Sequence, residues 1–350
     1  MIPALKWQTL TATVNEIKSP NRFLTRLLFP QTQTVGTEDI EFGLFSRGRE
    51  VAPFVKKNGE AILVSGGAES FNTVSPTNIR IKKAFTPSEL LFGRRPGTRI
   101  FIETGEQLSA VQQHIARDMQ YMADDITNAE EYLVSMALQG TISYANADRE
   151  AFQITYPRSA GNTITLSIFW NASDPATVRL EANVMVVKRL LSQAGMPNPT
   201  DVILGDEAAT SFQTLIATGA IKVLDQRNIT AGQVTFVEQF DADGVIYLGE
   251  AYGLRWWNYG RSANVNGVST PMIRPKYAEF ISANAASDRI MYYGAIADMA
   301  VLQGGLLQTQ RFAKSWLVED PSAMFALSAT RPLPVPRRPD ATVSMKCISG

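Results

Sequence analysis

The apolar positions of residues 105–139 recur in steps of three and four: Leu108, Val111, Ile115, Met119, Met122, Ile126, Ala129, Leu133 and Met136. That spacing draws one continuous stripe along a helix. Thr104-Gly-Glu-Gln107 fits a capping box at its start, and Gly140 fits the position just past its end. At about 1.5 Å per residue such a helix is about 50 Å long. A compact globule of 350 residues is itself about 50 Å across. One helix would cross the whole molecule, which predicts a flat, elongated shape. A coiled coil is the alternative, but charges at the e and g positions are not organised for one.

The pattern on either side is different. Residues 1–30 read as an arm. Trp7, Leu10, Val14, Ile17, Phe23, Leu24 and Leu27 are loosely spaced, and Ser19-Pro20-Asn21 breaks the run. No long periodic element is expected there, so the segment needs another surface to lie on. Strand-like patches follow at Leu44, Val51, Phe54 and Val55. Residues 56–85 read as a hairpin with limbs Glu60–Ser65 and Asn78–Phe85. In the second limb Ile79 and Ile81 alternate with Arg80 and Lys82. The polar tip GGAESFNTVSPT is too long for a tight turn, and a lone two-stranded hairpin is marginal in water.

Beyond the long helix, residues 141–156 and 163–170 read as strands, and 178–194 as a second amphipathic helix closed by Gly195 and Pro197. Residues 201–204 form a short buried-strand candidate. Asp206 is placed to cap a helix running to Thr218, with Gly219 after it. Residues 234–237, 244–248 and 254–258 are further strand candidates. This alternation predicts a compact α/β lobe from about 172 to 300. The last fifty residues read as strands. Pro332, Pro334, Pro336 and Pro339 suit edge strands or loops rather than a proline-rich peptide ligand.

Composition narrows the chemistry. The chain is 45% hydrophobic and 19% charged, as in an ordinary packed protein. Lys plus Arg and Asp plus Glu are 33 each, so the net charge is zero, unlike a dedicated nucleic-acid binder. No run approaches about 20 apolar residues, and the first residues lack the pattern of a signal peptide. With Cys347 as the one cysteine, no intrachain disulfide forms, which suits a reducing compartment. His114 is the one histidine, so Ser-His-Asp or Cys-His machinery would depend on it. It reads as a plain structural histidine, and no zinc or other metal set is predicted.

No phosphate-binding loop, dinucleotide fingerprint or nucleophile elbow is present. The pairs Gly66-Gly67 and Gly304-Gly305 read as turns, and the sequons at Asn171 and Asn228 carry no meaning without secretion. Asp124-Asp125 and Glu130-Glu131 read as a solvated helix face rather than acid/base pairs. The reading is therefore of a protein that is not an enzyme and binds no cofactor.

Charge is uneven along the chain. Residues 41–100 carry ten basic side chains against five acidic, and residues 101–150 carry two basic against nine acidic. Either this is incidental, or the basic hairpin of one subunit lies across the acidic helix of the next. On the second reading the contact residues are Arg80, Lys82 and Lys83 with Asp118, Asp124, Asp125, Glu130 and Glu131.

An arm, a projecting hairpin, one very long helix and an α/β lobe, in that order, resemble the shell protein of tailed bacteriophages. Pro20-Asn-Arg-Phe-Leu, with Phe23 and Leu24, is similar to the N-terminal P-x-x-F-L stretch of the lambda-type major capsid protein E family. Tyr293, Gly294 and Asp298 resemble its Y-G-x-I-x-D block. Trp316, Asp320, Pro321, Pro332 and Leu333 resemble its ending, with Arg331 in place of an alanine. The resemblance covers Pro20 to Gly350.

That resemblance implies an α+β, Johnson-type capsid fold. Its parts would be an N-arm (1–50), an extended loop (51–100), a peripheral domain with the long helix (101–171), an axial domain (172–308) and a return to the peripheral domain (309–350). It implies pentamers and hexamers closing an icosahedral shell around double-stranded DNA, without sequence-specific binding and without a membrane. It further implies a separate scaffolding protein, since no long helical segment precedes the arm, along with a portal and a decoration protein. The location implied is the virion capsid, assembled in the bacterial host cytoplasm. The alternatives are an encapsulin-like nanocompartment shell and a carboxylate-dependent hydrolase.

Overall fold

The computed structural model of the chain describes residues 7–16, 22–46, 68–86, 104–146, 149–219, 239–240, 245–299, 307–320 and 322–350. The elements begin with α1 (Trp7–Glu16), α2 (Phe23–Leu28), β1 (Gln31–Thr34), β2 (Ile40–Ser46), β3 (Ala68–Val74) and β4 (Ile79–Phe85). The long helix α3 (Thr104–Leu138) precedes β5 (Thr141–Asn146), β6 (Arg149–Thr155) and β7 (Thr163–Thr165). Next come α4 (Leu180–Gln193), β8 (Asp201–Leu204), α5 (Asp206–Ala217), β9 (Gln239–Phe240), β10 (Ile246–Ala251) and β11 (Leu254–Asn258). The series continues with β12 (Ser262–Val265), β13 (Val268–Pro271), β14 (Tyr277–Ile281) and β15 (Arg289–Tyr293). It closes with β16 (Phe312–Val318), β17 (Ala323–Thr330), β18 (Pro332–Pro336) and β19 (Thr342–Lys346).

The 35 residues of α3 end as the sequence pattern requires. Gly140 adopts φ +90°, and a Cβ there would lie 2.8 Å from the Arg158 side chain. A left-handed backbone with a neighbour that close leaves room only for glycine. The buried positions of α3 follow the predicted stripe at Met119, Met122 and Ile126. Towards the C-terminal end the burial spreads round the helix, from Glu130 and Glu131 to Val134, Ser135, Met136, Ala137 and Leu138. This half is enclosed rather than laid on a surface.

The α/β lobe is a seven-stranded sheet in the order β7-β19-β14-β8-β11-β10-β9. Strand β8 runs parallel to β11 and antiparallel to β14, and every residue of β8 is buried. Alternation sends Val202 and Leu204 into one core with α4 and α5, and Ile203 into the core that surrounds α3. The first core holds Leu191 and Phe212, with Phe212 stacked on Trp256 at 4.5 Å between ring centroids. Two strands of this sheet, β7 and β19, come from outside residues 172–308. The last strand therefore returns to the lobe, where β19 pairs with β14 from Tyr277↔Lys346 to Ile281↔Thr342.

A second sheet, β16-β17-β4, packs its inner face on α1 and α3, and a third, β1-β15-β18, packs on α2 and α3. In β18 prolines alternate with Leu333 and Val335 along the sheet edge, where a missing N–H breaks no ladder. Tyr156 Oη donates to Pro334 O at 2.6 Å on the open side of that strand.

Three expectations change. The first limb of the proposed hairpin, 60–65, lies outside the described residues. Its second limb, β4, pairs with β17 from Ile79↔Thr330 to Phe85↔Met324. The supposed polar tip contains β3, which pairs with β2 from Ile40↔Val74 to Ser46↔Ala68. Both strands thus find partners in the body. The arm also contains an element: α1 is ten residues long, with Leu10 and Val14, four apart, buried in the α3 core. Finally, α5 starts at Asp206 with Gly205 at the N-cap, so Asp206 is the first helical residue and not the cap. The candidate strand at 234–237 lies outside the described residues.

Buried and exposed positions of α4 should respond very differently. Leu191→Ala, at a fully buried site, should lower stability by about 2–5 kcal/mol. Met185→Ala, on the exposed face of the same helix, should change it by less than about 0.5 kcal/mol. Urea unfolding of the unassembled protein measures both.

Candidate assembly surfaces

Two adjacent carboxylates of α3 are buried in the protomer. Glu130 and Glu131 are each 1% exposed. Neighbouring helix residues point about 100° apart, so the two acids meet different surroundings. Glu131 accepts the backbone N–H of Leu24 at 3.0 Å and of Thr25 at 2.9 Å, closing the first turn of α2. Glu130 accepts from Arg311 Nη2 at 2.9 Å, Arg22 Nη2 at 3.4 Å and Tyr293 Oη at 3.4 Å. Burial, first, and the Glu130 charge push the Tyr293 phenol well above its ordinary value. Arg311 also donates to Thr127 Oγ1 at 2.7 Å.

Glu130 and Glu131 are therefore not on a solvated helix face; both are buried within the protomer. The enclosure of the C-terminal half of α3 places them inside the protomer, where their own chain supplies every partner named here. Asp118 is committed in the same way. It is 2% exposed and pairs with Lys83 Nζ at 2.8 Å within the chain.

The other charges stay outside, for a reason that begins in the pleat of β4. Successive residues of a strand face opposite sides. Lys83 faces α3 and reaches Asp118. Arg80 and Lys82 face away, beside a stack of Trp316 on Phe325 at 5.6 Å. Lys82 Nζ sits 4.9 Å above the Phe325 ring and Lys314 Nζ 5.3 Å from the Trp316 ring. Asp298 takes Lys314 at 2.7 Å and Arg80 at 3.7 Å. Among the described residues no carboxylate pairs with Lys82.

On α3, Gln120, Tyr121 and Asp125 are exposed and Asp124 is half-buried. Among the described residues neither aspartate has a cationic partner. Partial burial, then the Asp124 charge, raises the Asp125 carboxyl above its ordinary value. A third exposed patch lies on the β2–β3 ribbon, where Phe71 is 75% exposed and Phe45 lies beside it under Arg337. Phe71 falls within the segment read as a polar tip. Only its pairing with Gly43 reveals which face it occupies.

The residues carrying the family resemblance are mostly structural. Phe23 and Leu24 are buried, and Phe23 packs 5.8 Å from the Tyr259 ring. Tyr293 reaches Glu130. Gly294 donates its N–H to Arg331 O at 2.9 Å, and a Cβ there would approach Pro76 to 3.1 Å. Asp320 is exposed in the β16–β17 turn, while Pro20 and Pro321 lie outside the described residues. Arg331 is buried and ties Ala295 O, Ser75 Oγ and Pro76 O together at 3.0–3.3 Å. Among the described residues no cluster of His, Cys, Asp or Glu suits a metal, and no helix is long and apolar enough to cross a membrane.

This architecture recurs in known shells. A prophage capsid-protein structure from E. coli CFT073 is similar at a TM-score of 0.71 and 18% identity, over 99% of this chain and 100% of that one. The cyanophage A-1(L) capsid is similar at 0.51 and 12%, over 96% and 95%. The capsid of Ralstonia phage GP4 is similar at 0.51 and 10%, over 91% and 86%. None of the curated proteins matches the chain. The fold is thus the Johnson fold of capsid shells, in which helices and several sheets surround one long helix. The family model described as Phage major capsid protein E matches residues 6–347, and the chain belongs to that family.

Removing one partner of the buried pair should be severe. Arg311→Leu leaves Glu130 under-compensated in the core and should destabilise the protomer by about 3–5 kcal/mol in urea unfolding. Adding Glu130→Gln should recover part of the loss, because the buried charge is then gone.

Proposed function

We infer that this phage major capsid protein is a purely structural shell subunit that forms pentamers and hexamers and closes an icosahedral capsid around double-stranded DNA. The contact that joins neighbours sets Lys82 of one copy against Asp124 and Asp125 of the next, with Arg80, held by Asp298, beside it. The observation that carries this reading is the division of charges. Asp118, Glu130, Glu131 and Lys83 have partners inside the protomer, whereas Lys82 and Asp125 face outward with opposite sign, with Asp124 half-buried beside Asp125. Patches that differ on the two sides of a contact are heterologous, and heterologous contacts close as rings. Partial burial first and the Asp124 charge second raise the Asp125 carboxyl, and a cation from a neighbour would favour its charged form.

The same observations weigh against a carboxylate-dependent hydrolase. Glu130 is held by an arginine, both oxygens of Glu131 accept backbone N–H groups, and Asp124-Asp125 lies on one open helix. An extended loop, a peripheral part around α3 and an axial part around the seven-stranded sheet are the working units, with β7 and β19 assigned to the axial part. A scaffolding protein, a portal and a decoration protein are the expected partners. The capsid is built in the host cytoplasm and becomes part of the virion.

Negative-stain microscopy of the protein expressed with its neighbouring genes should reveal closed icosahedral particles, or rings of five and six. A monodisperse monomer or dimer under every condition would overturn the reading.

The charge contact has a sharper test. Lys82→Glu should reduce particle yield, more at low salt than at high salt, because ions screen the lost attraction. Combining it with Asp125→Lys should restore assembly by reversing the pair. Equal yields from single and double variants would remove this contact from the interface.

A further inference from the structure

The outer edge of β16 is closed by side chains instead of by a strand. Thr11 Oγ1 donates to Ala313 O and accepts the Ala313 N–H, both at 3.1 Å. One turn further along α1, Asn15 repeats the arrangement. Its Nδ2 donates to Arg311 O at 3.0 Å, and its Oδ1 accepts the Arg311 N–H at 3.2 Å. Residues four apart on a helix lie on one face about 6 Å apart, and alternate residues of a strand repeat at nearly the same distance. Two side chains therefore reproduce the donor and acceptor pattern of a neighbouring strand at two successive edge positions.

Among the described side chains of α1, the apolar anchoring is slight. Leu10 and Val14 are its buried aliphatic side chains among the described positions, packed against Met119, Ala313 and Met324. The helix has ten residues, no acid in its first turn and no base in its last. A helix of that length is marginal without its dock, and its terminal charges do not support it. The strand beneath is anchored independently. Seven residue pairs join β16 to β17, and the Arg311 side chain is locked to Glu130 and Thr127 in the core.

We propose that α1 is a detachable edge cap. It leaves β16 as a unit while the rest of the protomer stays folded, and while docked it prevents β16 from pairing with the β16 edge of a second copy. Alternation puts the N–H of residues 311, 313, 315 and 317 on the edge side, so β16 uncovered at 311 and 313 offers the spaced donors and acceptors on which strand edges pair. The partner is a second copy because many copies of one chain meet during shell assembly. That last step alone rests on the shell-subunit reading.

Native-state hydrogen exchange on the full chain tests the first half. The amides of α1, Arg311 and Ala313 should exchange through one shared opening, at least tenfold faster than those of β17 and insensitive to mild denaturant. Exchange of these amides only together with β17 would overturn the proposal. The second half is tested by Thr11→Val with Asn15→Leu, which keeps side-chain size but removes the four bonds. This variant should expose the Arg311 and Ala313 amides further and should self-associate with rising concentration in light scattering. Adding Leu317→Pro removes an outward N–H without breaking the β17 ladder and should return it to the wild-type state. Exposure without association, or association that survives Leu317→Pro, would overturn the guarding role. Because exchange is read on the unassembled protein, its outcome is independent of whether shells form.

Discussion

The protomer is organised by the burial of two neighbouring carboxylates in the C-terminal half of one long helix. Each buried ion is penalised by several kcal/mol unless it is paired and hydrogen-bonded. Glu130 and Glu131 point in different directions, so no single neighbouring element can satisfy both. Their partners come from Arg22 to Thr25, from Tyr293 and from Arg311. Those positions span almost the whole chain. The penalty therefore forces the N-terminal segment, β15 and the start of β16 onto the same stretch of α3. Such a network adds little net stability compared with an apolar core, but it permits one arrangement and excludes others. It also shows which surface the segment read as an arm lies on: α3 of its own chain.

Much of this was legible in the residues. The three-four spacing from Leu108 to Met136, with Gly140 behind it, gives α3 almost to its ends. Asp201–Leu204 and Leu254–Asn258 were visible as strand candidates, and the alternate prolines of β18 as an edge strand or a loop. What failed were inferences about partners. Periodicity tells which face of an element is apolar, but an acid on the other face can be solvated or enclosed. Nothing local distinguishes Glu130 from Asp125. Strand pairing is equally non-local: Ile79–Phe85 alternates as a hairpin limb would, and its partner is more than 200 residues away. The hairpin β12–β13 went unread although Asn266-Gly267 provides the turn, with φ +54° and +83°. Its flanking residues, largely exposed, lack the apolar alternation that makes such a turn stand out.

The candidate contact was half legible, and its missing half is instructive. Summed charge over 41–100 and 101–150 picks out the two segments that the proposed contact draws on. It cannot separate charges already neutralised at home from those still available. That separation comes from geometry: the pleat of β4 turns Lys83 inward and Lys82 outward, one residue apart. A sum over a segment counts both equally, whereas an interface can use only the second.

The charges assigned to the proposed contact are few, and that suits a shell. Exposed ion pairs contribute about 0–1 kcal/mol each. They select the partner and its orientation more than they supply affinity. Affinity comes mainly from burying apolar area, and Phe71, Tyr121 and Leu317 lie exposed on the surface of the protomer. With weak, directional charges and modest apolar patches, each contact stays reversible until several neighbours engage the same subunit. A misplaced copy that satisfies one contact but not its ring can then leave, and a closed shell becomes the arrangement that accumulates. A protomer whose strongest charges were unpaired at its surface would bind its first neighbour too tightly for that correction. Placing Glu130 and Glu131 inside thus serves assembly as well as folding.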